Sequence, residues 1–323
     1  MFVHDDDRAR TQRRARFGQA VSFARKGDYL SAEIIFKKEV DFLLSGSRKQ
    51  QIAESGLVIK SPAGDARIAA ATVLAEHLRP DYDLVIIACK AYDLDAAITA
   101  VAPAIGAHTA ILPTLNGLRH IDVLAERFGA ARVLGGLAQI AVTLRPAGEI
   151  HHLGDFHLLA FGERSGGHSP RCEEFAEVCA RANFTARLSD NINLELWEKF
   201  VFLATLAGIT CLMRASVGAI MATDDGEALT RDMLEECRKV AAAAGHPPRV
   251  DAMVRYTGLL TERGSEFTAS MLRDIERGGP TEGEHIVGDM LARARALRVA
   301  APLLRVARAH LQAYQLARTA NLK

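Results

Sequence analysis

The stretch Leu84-Val85-Ile86-Ile87-Ala88, running into Cys89-Lys90, decides the fold. It is an unbroken apolar run, too short for a buried helix and rich in β-branched residues, which predicts a strand covered on both faces. Working outward, the pattern predicts a helix near residues 94–104, a strand at 110–112 and a helix near 120–128. Strand, helix, strand, helix is the signature of an α/β layer with a mostly parallel sheet. Upstream, residues 40–44 form a short apolar strand and 47–54 a helix stopped by Gly56. Residues 57–61 and 66–69 read as a hairpin around Pro62-Ala63-Gly64-Asp65. Downstream, 137–144, 149–152 and 157–161 read as antiparallel strands.

Glu163-Arg164-Ser165-Gly166-Gly167-His168-Ser169-Pro170 reads as a linker. Beyond it nearly everything is helical. Helices are expected at 171–183, 192–213, 224–244, 250–263, 266–277, 281–297 and 302–318, with one extended piece near 184–188. The 192–213 segment is apolar nearly all round, which marks a core helix. The predicted architecture is therefore an α/β domain over residues 40–165 and an all-α domain over 166–323. Residues 1–39 read as part of neither: Arg8, Arg10, Arg13, Arg14 and Arg16 crowd a stretch without apolar period, as in a solvated arm.

Composition narrows the function classes. The chain has 323 residues, 49% hydrophobic and 24% charged, which are values of a folded globular protein. Forty lysines and arginines against 39 acids leave a net charge of +1, which gives no footprint for nucleic acid or an anionic membrane. Five scattered cysteines without a Cys-x-x-Cys pair predict free thiols in a reducing compartment, hence a cytoplasmic protein. The N-terminus opens on Asp5-Asp6-Asp7 rather than on a basic region and apolar core, so no secretory signal is expected. The longest apolar run, Phe200 to Met213, has 14 residues, too few for a membrane span.

Several positions could carry chemistry. Asn116-Gly117 and Lys90 each follow a predicted strand, where ligands bind in parallel sheets, although an Asn-Gly turn and a solvated lysine account for them equally. Lys199 is a lone cation opening a long apolar helix. Desolvation there would lower its pKa toward the range of a general acid, while a snorkelling surface lysine fits the same spacing. Glu282 falls in the first turn of a helix whose Thr281 and Glu284 spell a capping box, and it could simply complement the helix dipole. Ser270 carries no signal of its own. His151, His152 and His157 lie on alternating strand positions without carboxylate or cysteine partners, so no metal site is expected.

In chain order these pieces resemble one family. The series is Leu84–Ala88 with Cys89-Lys90-Ala91-Tyr92, Leu115-Asn116-Gly117, Gly135-Gly136, Gly148-Glu149-Ile150-His151, Phe161-Gly162-Glu163, Leu196-Trp197-Glu198-Lys199, and Ser270-Met271-Leu272-Arg273-Asp274 leading to Thr281-Glu282. From about residue 40 onward the chain is similar to the ketopantoate reductases (2-dehydropantoate 2-reductases). The resemblance implies a Rossmann-type NADP-binding domain followed by a helical domain. It also implies NADPH-dependent reduction of a small 2-oxo acid to a 2-hydroxy acid in pantothenate synthesis, without metal. By the same resemblance, Lys199 is the general acid, Asn116 positions Lys199 and the nicotinamide, and Ser270 holds the substrate. Glu282 bonds substrate and cofactor groups, Lys90 lies near the adenosine end, and backbone around Ala141 faces the nicotinamide. A homodimer is the expected assembly.

The chain also departs from the family. The family's Gly-x-Gly-x-x-Gly loop, which lets backbone approach a pyrophosphate, is missing: only Gly18 and Gly27 precede Gly46. A shifted frame or misassigned start over 1–39 would account for that, and a relic that binds a small acid or a protein partner without turnover is the rival function. Ser45 stands where the family often has an arginine for the cofactor 2′-phosphate, with Arg48 or Lys49 as substitutes. Leu203, Ala207 and Phe267 stand where the family often has asparagine, which implies a bulkier or less polar 2-oxo acid.

Overall fold

The computed structural model describes residues 20–23, 40–43 and 46–320. In chain order the strands are β1 (Ala20–Phe23), β2 (Val40–Leu43), β3 (Leu57–Lys60), β4 (Ala66–Ile68) and β5 (Ala71–Val73). They continue with β6 (Leu84–Ile87), β7 (Ala110–Pro113), β8 (Gly135–Leu144), β9 (Ile150–Gly162) and β10 (Thr185–Leu188). The helices that accompany them are α1 (Gly46–Ser55), α2 (Leu94–Val101), α3 (Arg119–Phe128) and α4 (Pro170–Cys179).

Five of these strands form an all-parallel sheet in the order β5-β2-β1-β6-β7. The apolar run explains its centre: Val85, Ile86 and Ile87 are fully buried, and Leu84 pairs in register with Ala110. The order runs outward from β1 to β2 and β5, then crosses back to β6 and β7, so the topological switch point lies beside β1.

That central strand corrects the reading of residues 1–39 as belonging to neither domain. Ala20 pairs with Val40 on one side and with Leu84 on the other. Four residues containing a serine, between Arg16 and Arg25, offer no alternation and no long apolar run, so backbone pairing alone reveals the strand. The arginine-rich stretch 8–16 lies outside the described residues.

The second sheet is mixed. β9 lies between β10 and β3, β3 pairs with β4 as the expected hairpin, and β8 pairs antiparallel with β9. The segments read as separate strands at 149–152 and 157–161 are one strand. Its register against β8 jumps from Val142↔His152 to Ile140↔His157, so Leu153-Gly154-Asp155-Phe156 bulges out opposite Ala141. Phe161 meets Phe175 of α4 edge-on at 4.6 Å, and Cys172 and Cys179 fill the same core.

This packing moves the expected boundary at 165/166. α4 and β10 belong to the sheets, so one compact unit comprises residues up to Leu115 with His120–Ile192, and the other comprises Asn116–Arg119 with Asn193–Lys323. The second unit is helical: α5 (Ile192–Met213), α6 (Val217–Met221), α7 (Gly226–Ala243), α8 (Val250–Leu260), α9 (Ser270–Glu276), a π turn (Glu284–Gly288), α10 (Asp289–Ala296) and α11 (Pro302–Ala320). α5 is long and apolar enough to cross a membrane, but 72% of its most apolar window is buried inside the protein, as in a core helix. The helix expected over 266–277 begins only at Ser270. Before it, Phe267 and Ser265 use their carbonyls to accept from Val217 and Gly218 at 2.9 and 2.8 Å.

Candidate active site

α5 carries Lys199 one residue after Glu198, and the two charges have different fates. Glu198 is 2% exposed and accepts three bonds from Arg249, from the backbone N and Nε at 2.8 Å and from Nη2 at 2.6 Å. That carboxylate is therefore committed to the start of α8. The Lys199 ammonium sits among protein atoms, and desolvation pulls its pKa down to about 8, with Glu282 as the acid that opposes the fall. Lys199 remains charged at neutral pH yet gives up its proton readily, which suits a general acid.

The turn before Lys199 is braced by its neighbours. The Trp197 ring stacks on His246 at 5.4 Å, and the Arg293 guanidinium lies 5.5 Å from its centroid. Arg293 in turn donates from Nε to Asp289 at 2.9 Å.

Glu282 is buried at 7% exposure just ahead of the π turn. The predicted capping box does not form. Thr281 Oγ1 accepts from Gly283 N at 3.4 Å, and Glu284 instead accepts three bonds from Arg308 at 3.0–3.2 Å. The box needs a helical turn that starts from residue 281, whereas this helix starts one residue later, with the Glu282 carbonyl as its first acceptor. The Glu282 carbonyl accepts from both His285 N and Ile286 N at 3.0 Å. His285 is itself buried, which holds its imidazole below the ordinary pKa against the opposing pull of Glu282 and Asp289. Its ring donates to the Asn116 backbone carbonyl.

The helical unit thus brings Asn116, Lys199 and Glu282 into one neighbourhood, together with His285, which sequence reasoning missed. Ser270 belongs to the same unit as the exposed first residue of α9. Lys90 and Ala141 belong to the sheet unit: Lys90 follows the carboxyl end of β6, and Ala141 is exposed on β8. Arg48 does not stand open as a phosphate ligand, because its guanidinium bonds Gln51 and donates to the Gly148 carbonyl at 3.0 Å. Gly148, at φ 85°, has no room for a Cβ against those two side chains.

Leu203 and Ala207 follow Lys199 by one and two turns of α5. Tyr256, Phe202 and Phe267 form a column of stacked rings, with centroids 4.9 and 6.2 Å apart, within the range of offset stacking. Phe267 is 41% exposed at its end. The three histidines of β9 have local partners: His152 bonds Ser61 at 2.9 Å and meets His157 edge-on, and His151 reaches Glu149. All five cysteines are free and buried, and burial pushes Cys179, Cys211 and Cys237 up to about 12, which makes them inert.

A doubly wound sheet with its switch point at the first strand, joined to a helical unit holding a desolvated lysine, defines a dinucleotide-dependent oxidoreductase. Comparison with known proteins narrows the class. Residues 27–166 match the family model for ketopantoate reductase PanE/ApbA, and residues 191–315 match the model for its C-terminal domain. The chain belongs to the ketopantoate reductase family. It is 34% identical over 290 residues to the uncharacterized oxidoreductase YkpB of Bacillus subtilis, covering 90% of this chain and 95% of that one. The 2-dehydropantoate 2-reductase of Methylococcus capsulatus superposes with a TM-score of 0.82 at 26% identity, over 93% and 98% of the two chains. D-mandelate dehydrogenase with NADH and anilino(oxo)acetate shares the fold, with a TM-score of 0.81 at 19% identity over 93% and 100%.

Proposed function

We propose that this protein reduces a 2-oxo acid to the 2-hydroxy acid with NADPH, in the manner of a 2-dehydropantoate 2-reductase. The observation that carries this reading is Lys199, half-buried on a core helix, whose ammonium is pulled down to about 8 by desolvation, with Glu282 as the acid that opposes the fall. NADPH, when bound, supplies the hydride. Lys199 Nζ holds the proton that the substrate carbonyl oxygen takes up as it becomes a hydroxyl. Glu282 keeps Lys199 charged and accepts bonds from substrate and cofactor hydroxyls. Asn116 orients Lys199 and the nicotinamide amide, and Ser270 binds the substrate.

The parallel sheet supports the cofactor assignment. Its switch point is where such sheets bind dinucleotides, and by the family resemblance Lys90 is assigned to the adenosine end and backbone at Ala141 to the nicotinamide. Residues 24–28 (Ala-Arg-Lys-Gly-Asp) hold one glycine where a pyrophosphate loop needs three, so weak NADPH binding is expected. Leu203 on the Lys199 helix and the exposed Phe267 favour a substrate with an apolar side chain over a hydroxylated one. We place the protein in the cytoplasm, in keeping with its free thiols, as a homodimer. The rival reading, a relic without turnover, finds no support in the relatives.

The test is NADPH oxidation across a panel of 2-oxo acids, ketopantoate included. Consumption with at least one of them, fastest for an apolar side chain, is expected. Silence across the panel, with no thermal shift from NADPH, would refute the reading.

A further inference from the structure

The π turn and the segment after β7 meet at one side chain. Gly117 sits at φ 87°, and a Cβ built on it would lie 3.1 Å from His285 Cδ2 and 3.2 Å from the His285 carbonyl oxygen. The backbone of Asn116-Gly117 therefore lies directly on the imidazole and receives its hydrogen bond. The same residue is tied to the other side of the site, because its backbone N donates to the Glu282 carbonyl at 3.0 Å. The charged groups facing the ring are Glu282, Asp289 and Arg119, and Asp289 is itself held by Arg293.

We propose that His285 is a positioning residue that fixes Asn116 relative to Glu282, and through Glu282 relative to Lys199. The inference rests on the reductase reading above for its catalytic consequence, but its structural content is independent of it. The turn from Glu282 is an ordinary one, with His285 N and Ile286 N both on its carbonyl, and the π turn that overlaps it, a distortion often found at functional sites, starts at Glu284. His285 thereby bonds backward to Glu282 through its backbone and across to the 116–117 segment through its ring. Its ring N–H is spent on the backbone of Asn116 and not on the amide side chain.

Two variants and two readouts test this. His285→Phe keeps the ring and removes the donor, whereas His285→Gln keeps a donor. Loss of one positioned bond predicts that His285→Phe lowers kcat by about 10- to 100-fold, while the KM for NADPH changes by less than about 3-fold. His285→Gln should recover to within about 5-fold of the wild type. The second readout is hydrogen exchange at the Gly117 and Leu118 amides, expected to quicken by at least about 10-fold in His285→Phe with the centre of α5 unchanged.

Wild-type kinetics and exchange kept in folded His285→Phe would overturn the proposal. So would equal losses in both variants, or faster exchange spread evenly through the helical unit. Should His285→Phe not fold, His285→Gln decides: near-wild-type exchange at 117–118 supports the tether, and exchange as fast as in a free loop overturns it. A wild type inert on every 2-oxo acid, with exchange at 117–118 still sensitive to His285→Phe, would sink the reductase reading and leave the tether standing.

Discussion

β6 and α5 are both buried apolar segments, yet they deliver chemistry in opposite ways. All four side chains of β6 are packed on both faces, and its candidate functional residue, Lys90, comes only after the strand has ended. α5 is apolar nearly all round but carries Lys199 within its second turn. A sheet places groups past its carboxyl edge, where solvent and ligand can reach them. A core helix can place a charge where water is scarce, and that desolvation itself adjusts the proton affinity. The strand is thus a scaffold with a functional margin, whereas the helix is both scaffold and reagent.

The largest expected effect comes from making α5 resemble β6. Lys199→Met keeps the stem and removes the charge, and it should lower kcat by about 10²- to 10⁴-fold, the usual worth of a general acid. Its melting temperature should not fall, because a desolvated charge has been removed. Turnover within tenfold of wild type would erase the contrast.

Next is the reverse case, damage to the strand. Ile86→Ala should cost about 2–5 kcal/mol in urea denaturation by leaving a cavity. A loss below about 1 kcal/mol would mean that the strand is not packed on both faces.

The pH dependence sharpens the comparison further. A general acid with a pKa of about 8 predicts kcat/KM falling roughly tenfold per unit above that value. Stability has the opposite sign. Lys199 is protonated in the unfolded chain up to its ordinary value of 10.5 but only to about 8 in the fold. Between these values the unfolded state binds more protons, so stability rises with pH. Lys199→Met should abolish that rise, and persistence of the rise in the variant would assign it to another group.

Smaller effects follow. Arg249→Ala strips the buried Glu198 carboxylate of its guanidinium partner, leaving one backbone bond, and should cost about 2 kcal/mol, moderated by the exposure of Arg249. Smallest is Lys90→Ala, expected to weaken NADPH by about 3- to 10-fold in a fluorescence titration without changing kcat. An unchanged dissociation constant would remove Lys90 from the site.

Much of this was legible in the sequence, for identifiable reasons. β6 declared itself because five apolar residues in a row have few alternatives, and α5 because its apolar character continues for six turns. Lys199 stood out as the lone cation opening that run. β1 was not legible: a central strand of four residues, one of them serine, is specified by its two neighbours rather than by its own pattern. His285 was equally hidden, since a single histidine on an apolar face has no periodic signature. The capping box at Thr281 and Glu284 does not form because the helix starts from Glu282, one residue later than the spacing implies, and Glu284 spends its carboxylate on Arg308 instead.

The π turn has a consequence for how this chain tolerates a change of length. Each helical residue advances the side-chain direction by about 100°. An α turn spends about 3.6 residues where this turn spends one more. Deleting one residue from Glu284–Gly288 would therefore let the chain close as an ordinary α helix with Glu282 and α10 kept in nearly their present directions. A single-residue deletion here should be far better tolerated than one in the regular middle of α5, where it would turn one half of the helix against the other by about 100°.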